Sequence, residues 1–150
     1  MDNPVRPATP EDRAAVEHVV FEAYRPYVPL IGMKPGPMRD DYGAAIARGQ
    51  VHVAEQGGIV AGVLVLVPRP DSLLLDNIAV LPSAQGTGLG RRLLDWTEAV
   101  ARAGGLNRIV LYTHEAMTRN IALYTRLGYV ETHRAEEIGL RRVYMAKLLG

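Results

Sequence analysis

Cysteine is absent from the 150 residues. The chain can therefore form no disulfide, no thiolate metal site and no acyl-enzyme on a cysteine. A dominant charge is missing as well. Seventeen basic residues against sixteen acidic ones leave +1 at pH 7, which gives no whole-protein field for nucleic acid or an anionic membrane. Long apolar runs are also missing. The longest, Ile59 to Val67 with Gly62 inside it, spans nine residues where a membrane helix needs about twenty, so it reads as a buried strand. Met1-Asp2-Asn3-Pro4 shows no basic stretch followed by an apolar core, so no secretory leader is expected. The four histidines, at 18, 52, 114 and 133, stand singly without metal-ligand spacing, and no metal site is expected. Linkers, internal repeats and low-complexity tracts are not visible. What is present is an ordinary globular composition, 48% apolar and 22% charged, in one domain's length of chain. The expectation is a single cytoplasmic domain over residues 1–150.

Turn and cap residues divide the chain. A strand around Val5 leads to Thr9-Pro10-Glu11-Asp12, where Thr9 suits an N-cap, Pro10 the first helical position, and two acids the positive first turn. The helix that follows runs to about Tyr24, with Ala15, Val19 and Ala23 on one stripe. The loop from Pro26 to Pro37 precedes a second helix from about Arg39 to Ala47. Val51 to Glu55, a Gly57-Gly58 turn and Ile59 to Val67 form a hairpin. Leu73 to Leu81 is the next strand, stopped by Pro82. A helix with Leu89, Leu93, Trp96 and Val100 on its apolar positions ends at Gly104-Gly105. A strand from Asn107 to Thr113, a helix from Met117 to Leu127 and a strand pair, Tyr129 to Arg134 with Leu140 to Lys147, complete it. The order β-α-α-β-β-β-α-β-α-β-β predicts an α/β domain with a mixed, mostly antiparallel twisted sheet of about six to seven strands and helices on both faces.

Gln85-Gly86-Thr87-Gly88-Leu89-Gly90-Arg91-Arg92 lies between a strand and a helix. Glycines let backbone approach a ligand closely, and the free N–H groups of a first helical turn favour an anion such as a phosphate. The loop is neither a nucleotide-hydrolase phosphate loop, since no Lys follows the glycines, nor a dinucleotide fingerprint, since its spacing is G-x-G-x-G. By itself it reads either as an anion site or as a tight turn.

The wider pattern resembles the GNAT superfamily of N-acetyltransferases. Leu75-Asp76-Asn77-Ile78-Ala79-Val80-Leu81-Pro82, then Gln85-x-x-Gly88-x-Gly90 and Arg91-Arg92-Leu93-Leu94, is similar to that family's acyl-CoA signature. Asn120-Ile121-Ala122-Leu123-Tyr124-Thr125-Arg126-Leu127-Gly128-Tyr129 resembles its second element, and Arg6-Pro7-Ala8-Thr9-Pro10-Glu11-Asp12 its opening. The resemblance implies acetyl-CoA as cosubstrate. It implies backbone bonds from Ile78, Ala79 and Val80 to the pantetheine arm, and pyrophosphate binding by Gln85, Gly86, Thr87, Gly88, Leu89, Gly90 and Arg91. A backbone N–H near Val80 would stabilise the oxyanion. Tyr124 would be the acid for the departing thiolate, although helical spacing with Met117 and Ile121 by itself reads Tyr124 as core. Asn120, one turn before it, would reach the pantetheine or its thiol end.

The sequence departs from the family pattern at three positions. Met117 and Asn120 stand where an Asn and an Ala are common, and Asn77 stands where many members face the acceptor with a carboxylate. Asn77 can orient an amine but cannot take its proton, and strand alternation sends Asp76 to the opposite face, so the base is unassigned. His114 and Glu115, just past a strand end, read as a solvated loop or a proton relay. Asp40 and Asp41 read as complementing a helix dipole. The resemblance also implies that the segment between the first two helices walls the acceptor side, with Tyr27 and Met33 as substrate-binding residues whose aromatic and flexible side chains suit an adaptable wall.

Fifteen of the seventeen basic residues are Arg, without a cluster that would suit nucleic acid. The expected activity is acetyl transfer from acetyl-CoA to a primary amine of a small molecule or peptide by direct attack in a ternary complex. The alternative is an acyl-CoA-binding sensor or interaction module on the same fold. A monomer or homodimer without membrane or nucleic-acid partners is expected.

Overall fold

In the computed structural model, residues 5–150 are described; Met1-Asp2-Asn3-Pro4, read above for a leader, lies outside them. Seven strands form one sheet in the order β1-β2-β3-β4-β5-β7-β6. They are β1 (Val5–Pro7), β2 (Val51–Gln56), β3 (Ile59–Pro68), β4 (Leu73–Val80), β5 (Arg108–His114), β6 (Val130–Glu137) and β7 (Leu140–Leu148). Every neighbouring pair is antiparallel except β4 and β5.

Helices cover both faces. On one, α1 (Arg13–Tyr24) and α3 (Tyr42–Ala47) bury Val16, Val19, Val20 and Ile46 against Val53, Val63 and Val65. On the other, α4 (Leu89–Ala103) and α5 (Thr118–Arg126) pack Leu89, Leu93, Leu94 and Tyr124 on Leu64, Leu75, Ile109 and Leu111. The buried stripe of α1 is Val16, Val19, Val20, Ala23 and Tyr24; Ala15 is only half-buried. The β-branched residues carry more apolar surface and take the sheet side.

The second helix begins later than the sequence suggests. Asp41 is its N-cap, accepting the Ala44 N–H at 3.0 Å, and Asp40 is extended with ψ 152°, so Arg39 belongs to a preceding 3₁₀ turn. The proline-rich segment holds a further 3₁₀ turn, Arg25–Tyr27, and a single helical turn, α2 (Val28–Ile31). Among the described residues no helix is long and apolar enough to cross a membrane, and no group of three or more His, Asp or Glu is arranged to hold a metal ion.

One irregularity positions everything that follows. β4 and β5 pair only through Leu73 with Ile109, Leu74 with Val110 and Leu75 with Leu111. Beyond Leu75 and Leu111 the strands part, while β4 stays paired with β3 as far as Val80 and β5 with β7 as far as His114. At the parting point Asp76 is an extra residue, because Val65 faces Asn77 whereas Leu66 faces Leu75. A β-bulge of this kind bends its strand and locally increases the twist. The sheet is a fork with its apex at Leu75 and Leu111.

Candidate active site

The parting leaves backbone groups of β4 without a strand partner. The Leu81 N–H donates to the Ala61 carbonyl at 2.9 Å, which fixes the alternation of the β3–β4 ladder. Ala79 and Asn77 therefore bond toward β3, and Ile78 and Val80 turn their N–H and C=O into the fork. Two side chains reach the exposed carbonyls: Tyr24 Oη lies 3.1 Å from the Ile78 oxygen, and Gln85 Nε2 donates to the Val80 oxygen at 3.2 Å. Of the three residues expected to offer backbone to a ligand, Ile78 and Val80 have backbone groups outside the strand ladder. Ala79 does not, because its groups are committed to the sheet.

Below this strand the glycine-rich loop turns into α4. Gly86 and Gly88 have φ of 80° and 87°, the left-handed region open to glycine at little cost, and Gly88 is the N-cap. Thr87 Oγ1 donates back to the Ala84 carbonyl at 2.5 Å and accepts from Gln56 at 3.3 Å, and Leu89 is 1% exposed in the core, so these two side chains stay off the surface of the loop that faces α5. Gln85, Gly86, Gly88, Gly90 and Arg91 remain on that surface and, with Ile78 and Val80, line a cavity of about 650 Å³. α5 supplies its opposite wall through Arg119, Asn120, Leu123 and Arg126. Three arginines and no carboxylate line this cavity. The sequence reading missed Arg119 and Arg126, although their spacing of seven puts them on one face of a helix with Asn120 and Leu123 beside them.

A second cavity of about 420 Å³ lies on the α1 side. Its floor includes Asp76, Asn77 and Tyr112, and its outer wall includes Ile31, Pro35, Ile138 and Leu140. Here two expectations are corrected. Asp76 does not point to the opposite face: the bulge breaks the alternation, and Tyr112 Oη donates to its carboxylate at 3.3 Å inside the same cavity as Asn77. Asn77 is buried, 3% exposed, with both ends of its amide engaged. Tyr24 Oη donates to Asn77 Oδ1 at 2.5 Å, and Asn77 Nδ2 donates at 2.9 Å to Tyr42 Oη, which donates to the Pro37 carbonyl at 2.6 Å. Asn77 thus ties α1 and α3 to β4.

Tyr27 and Met33 are displaced from the expected acceptor wall. Tyr27 lines the arginine-bearing cavity, and Met33 lines neither, its side chain lying instead against the β6–β7 turn. Asp40 is not simply a dipole partner, for it lines the cavity with Asp76. Partial desolvation, and then the like charge of Asp76, raise its carboxyl above the usual range. His114 lines the same cavity. Its Nδ1 accepts the Ala116 N–H at 3.0 Å, and desolvation lowers its pKa, favouring the neutral ring.

Tyr24, Ile78, Met117 and Tyr124 line both cavities. Tyr124 is 3% exposed and its ring packs 5.8 Å from that of Tyr129. No hydrogen bond within the described residues engages its hydroxyl. Burial, then the neighbouring Tyr129, push its pKa well above the usual phenol value, so the hydroxyl stays protonated at neutral pH.

The model of the acetyltransferase (GNAT) family matches residues 16–129. The chain belongs to this family. Among curated relatives, N-alpha-acetyltransferase 80 of Mus musculus is 39% identical over 64 residues, 43% of this chain and 19% of its own. Mycothiol acetyltransferase of Beutenbergia cavernae is 37% identical over 79 residues, 53% of this chain and 27% of its own. The chain thus spans between about a fifth and a quarter of the length of these relatives. The PaiA N-acetyltransferase of Thermoplasma acidophilum, solved in complex with coenzyme A, superposes with a TM-score of 0.82 over 99% of both chains at 17% identity, a likeness of fold. The mixed seven-stranded sheet with helices on both faces is consistent with a GNAT fold.

Proposed function

We propose that the protein transfers an acetyl group from acetyl-CoA to a primary amine of a small molecule or peptide by direct attack in a ternary complex. The observation that carries this reading is the meeting of two unlike cavities at Tyr124 and Ile78, one lined by three arginines and no carboxylate, the other by the carboxylates Asp40 and Asp76 together with Arg39 and Arg142. An anionic cofactor suits the first and an amine the second. The coenzyme A in the Thermoplasma neighbour supports the assignment of the first.

Each residue then has a role. Gly86, Gly88, Gly90 and Arg91, at the start of α4, hold the pyrophosphate, with Arg119 and Arg126 adding positive charge across the groove. Ile78 and Val80 offer backbone bonds to the pantetheine, and Asn120 borders its path. The amine nitrogen attacks the thioester carbon, and the oxyanion is held by the Val80 N–H. Asp76 takes a proton from the nitrogen, filling the place of the base. As the C–S bond breaks, the thiolate takes its proton from Tyr124. Reprotonation of Tyr124 and loss of the proton on Asp76 restore the site through solvent.

The test couples free-thiol release from acetyl-CoA to a panel of primary amines. Turnover is expected with wild-type protein, and Tyr124→Phe is expected to lower kcat by about 10–10³-fold with CoA affinity and Tm little changed. The unengaged hydroxyl makes that substitution structurally mild. Tight CoA binding without turnover on any amine would instead favour an acyl-CoA sensor.

A further inference from the structure

The turn joining β6 to β7 is Ile138-Gly139, with φ of 54° and 75°. Positive φ at both central residues is the geometry of a type I′ turn, which favours Asn-Gly. Isoleucine is a poor choice there, because a β-branched side chain at positive φ crowds the backbone. Ile138 is the one non-glycine residue with positive φ among those described. Burial does not offset the strain, since the side chain is 77% exposed. An outlier of this kind points to a task outside folding.

Its position supplies the task. Ile138 stands on the outer wall of the amine-side cavity with Ile31, Pro35 and Leu140, while Asp76 lies in the floor. Met33 Cε lies 3.5 Å from where a Cβ on Gly139 would be, so the proline-rich loop and the hairpin tip meet over the cavity. In the floor, the Arg142 guanidinium lies 4.5 Å from the Tyr112 ring centroid and 3.8 Å from a Glu137 carboxylate oxygen. That cation already has a carboxylate, and Arg39, which also lines the cavity, stands beside a second one, Asp40, whereas among the described residues Asp76 takes a hydrogen bond from the Tyr112 hydroxyl alone. The cavity therefore presents a carboxylate below and an apolar rim above. We infer that the acceptor is a primary amine carried on an apolar body, and that Ile138 is the residue that selects that body by covering it. This rests on the acetyl-transfer reading above. The exposed isoleucine regains burial only when such an acceptor lies beneath it, and that burial offsets the strain of its backbone.

The experiment compares wild type, Ile138→Asn and Ile138→Val with 2-phenylethylamine and ethylamine as acceptors. Asn relaxes the turn and removes the apolar contact; Val keeps both the strain and most of the contact. In wild type, kcat/KM is expected to favour 2-phenylethylamine. In Ile138→Asn, the ratio of the two kcat/KM values should fall about tenfold, with Tm rising about 2–4 °C and the KM for acetyl-CoA unchanged. Ile138→Val should keep most of the ratio and gain no Tm. A ratio within twofold of wild type in a stabilised Ile138→Asn protein would overturn the inference, as would a wild type indifferent to the phenyl group. Calorimetric binding of 2-phenylethylamine to the protein–CoA complex reads the same contact without turnover. If acetyl transfer fails, thiol release is absent while binding still weakens in Ile138→Asn; if this inference fails, binding ignores the substitution.

Discussion

Asp76 is placed by a single extra residue in β4, and its role is the sharpest prediction at the residue scale. Asp76→Asn removes the proton acceptor while keeping the shape and the hydrogen bond from Tyr112. The kcat/KM for the amine should fall about 10²–10⁴-fold with the KM for acetyl-CoA unchanged, and Asp76→Glu should recover part of it. Steady-state kinetics from pH 6 to 9 check this; a value within twofold of wild type returns the base to His114 or to solvent. The neighbouring Asn77 carries the opposite expectation. Asn77→Ala takes the Oδ1 acceptor from the Tyr24 hydroxyl and the Nδ2 donor from the Tyr42 oxygen and opens a small void, costing about 1–3 kcal/mol in a urea titration. Unchanged stability together with a raised KM for the amine would make Asn77 a substrate group after all. Residue types alone suggested the reverse order of importance. Alternation along a regular strand assigns Asp76 and Asn77 to opposite faces, and a bulge is set by pairing with β3, which a lone strand cannot reveal.

At the scale of elements, local chemistry was largely legible. In the Thr9-Pro10-Glu11-Asp12 start, Thr9 is the N-cap and Pro10 the first residue as read, but of a 3₁₀ turn, Pro10–Asp12, that leads into α1 at Arg13. The Thr9 N–H donates to Asp12 Oδ2 at 2.8 Å, and the same carboxylate receives Arg6 at 2.7 Å, which also reaches Glu55 on β2 at 3.0 Å. The Arg6 hydrogen bond is the largest cause lowering the Asp12 pKa to about 2 from its ordinary 3.8. A depressed carboxyl stabilises the fold above its unfolded pKa and loses that contribution as pH falls through the folded one. The contribution, about 1–2 kcal/mol after allowance for solvent, is therefore full at pH 5 and lost between about pH 4 and 2. Denaturant titrations of wild type and Asp12→Asn should differ by this amount at pH 6 and converge at pH 2; a constant gap would refute the linkage. Element boundaries were less legible where two adjacent acids compete. Either Asp40 or Asp41 could cap α3, and only the packing of Tyr42 and Ile46 against the sheet side selects Asp41.

For the molecule as a whole, the fork divides the sheet into two arms whose strand pairing among the described residues runs through Leu73, Leu74 and Leu75 of β4. A cofactor lying between β4 and α5 bridges both arms and stabilises the folded state by mass action. CoA at 100 times its Kd should add about 2.7 kcal/mol and raise Tm by roughly 5–10 °C. Arg91→Ala with Arg126→Ala should shrink that shift at equal CoA concentration, measured by thermal melting; an unchanged shift would remove the arginine groove from the cofactor's path. The sequence by itself determined the elements, their alternation of apolar and polar positions, the glycine loop and its helix start. These depend on residues near one another in the chain, where sterics, capping and periodicity act directly. Only the tertiary structure decided where β4 and β5 part, which acid enters the cavity, that Asn77 ties helices to the sheet, and that Arg119 and Arg126 face Arg91. Each of these is a juxtaposition of residues distant in the chain, fixed by strand register and helix packing across the sheet.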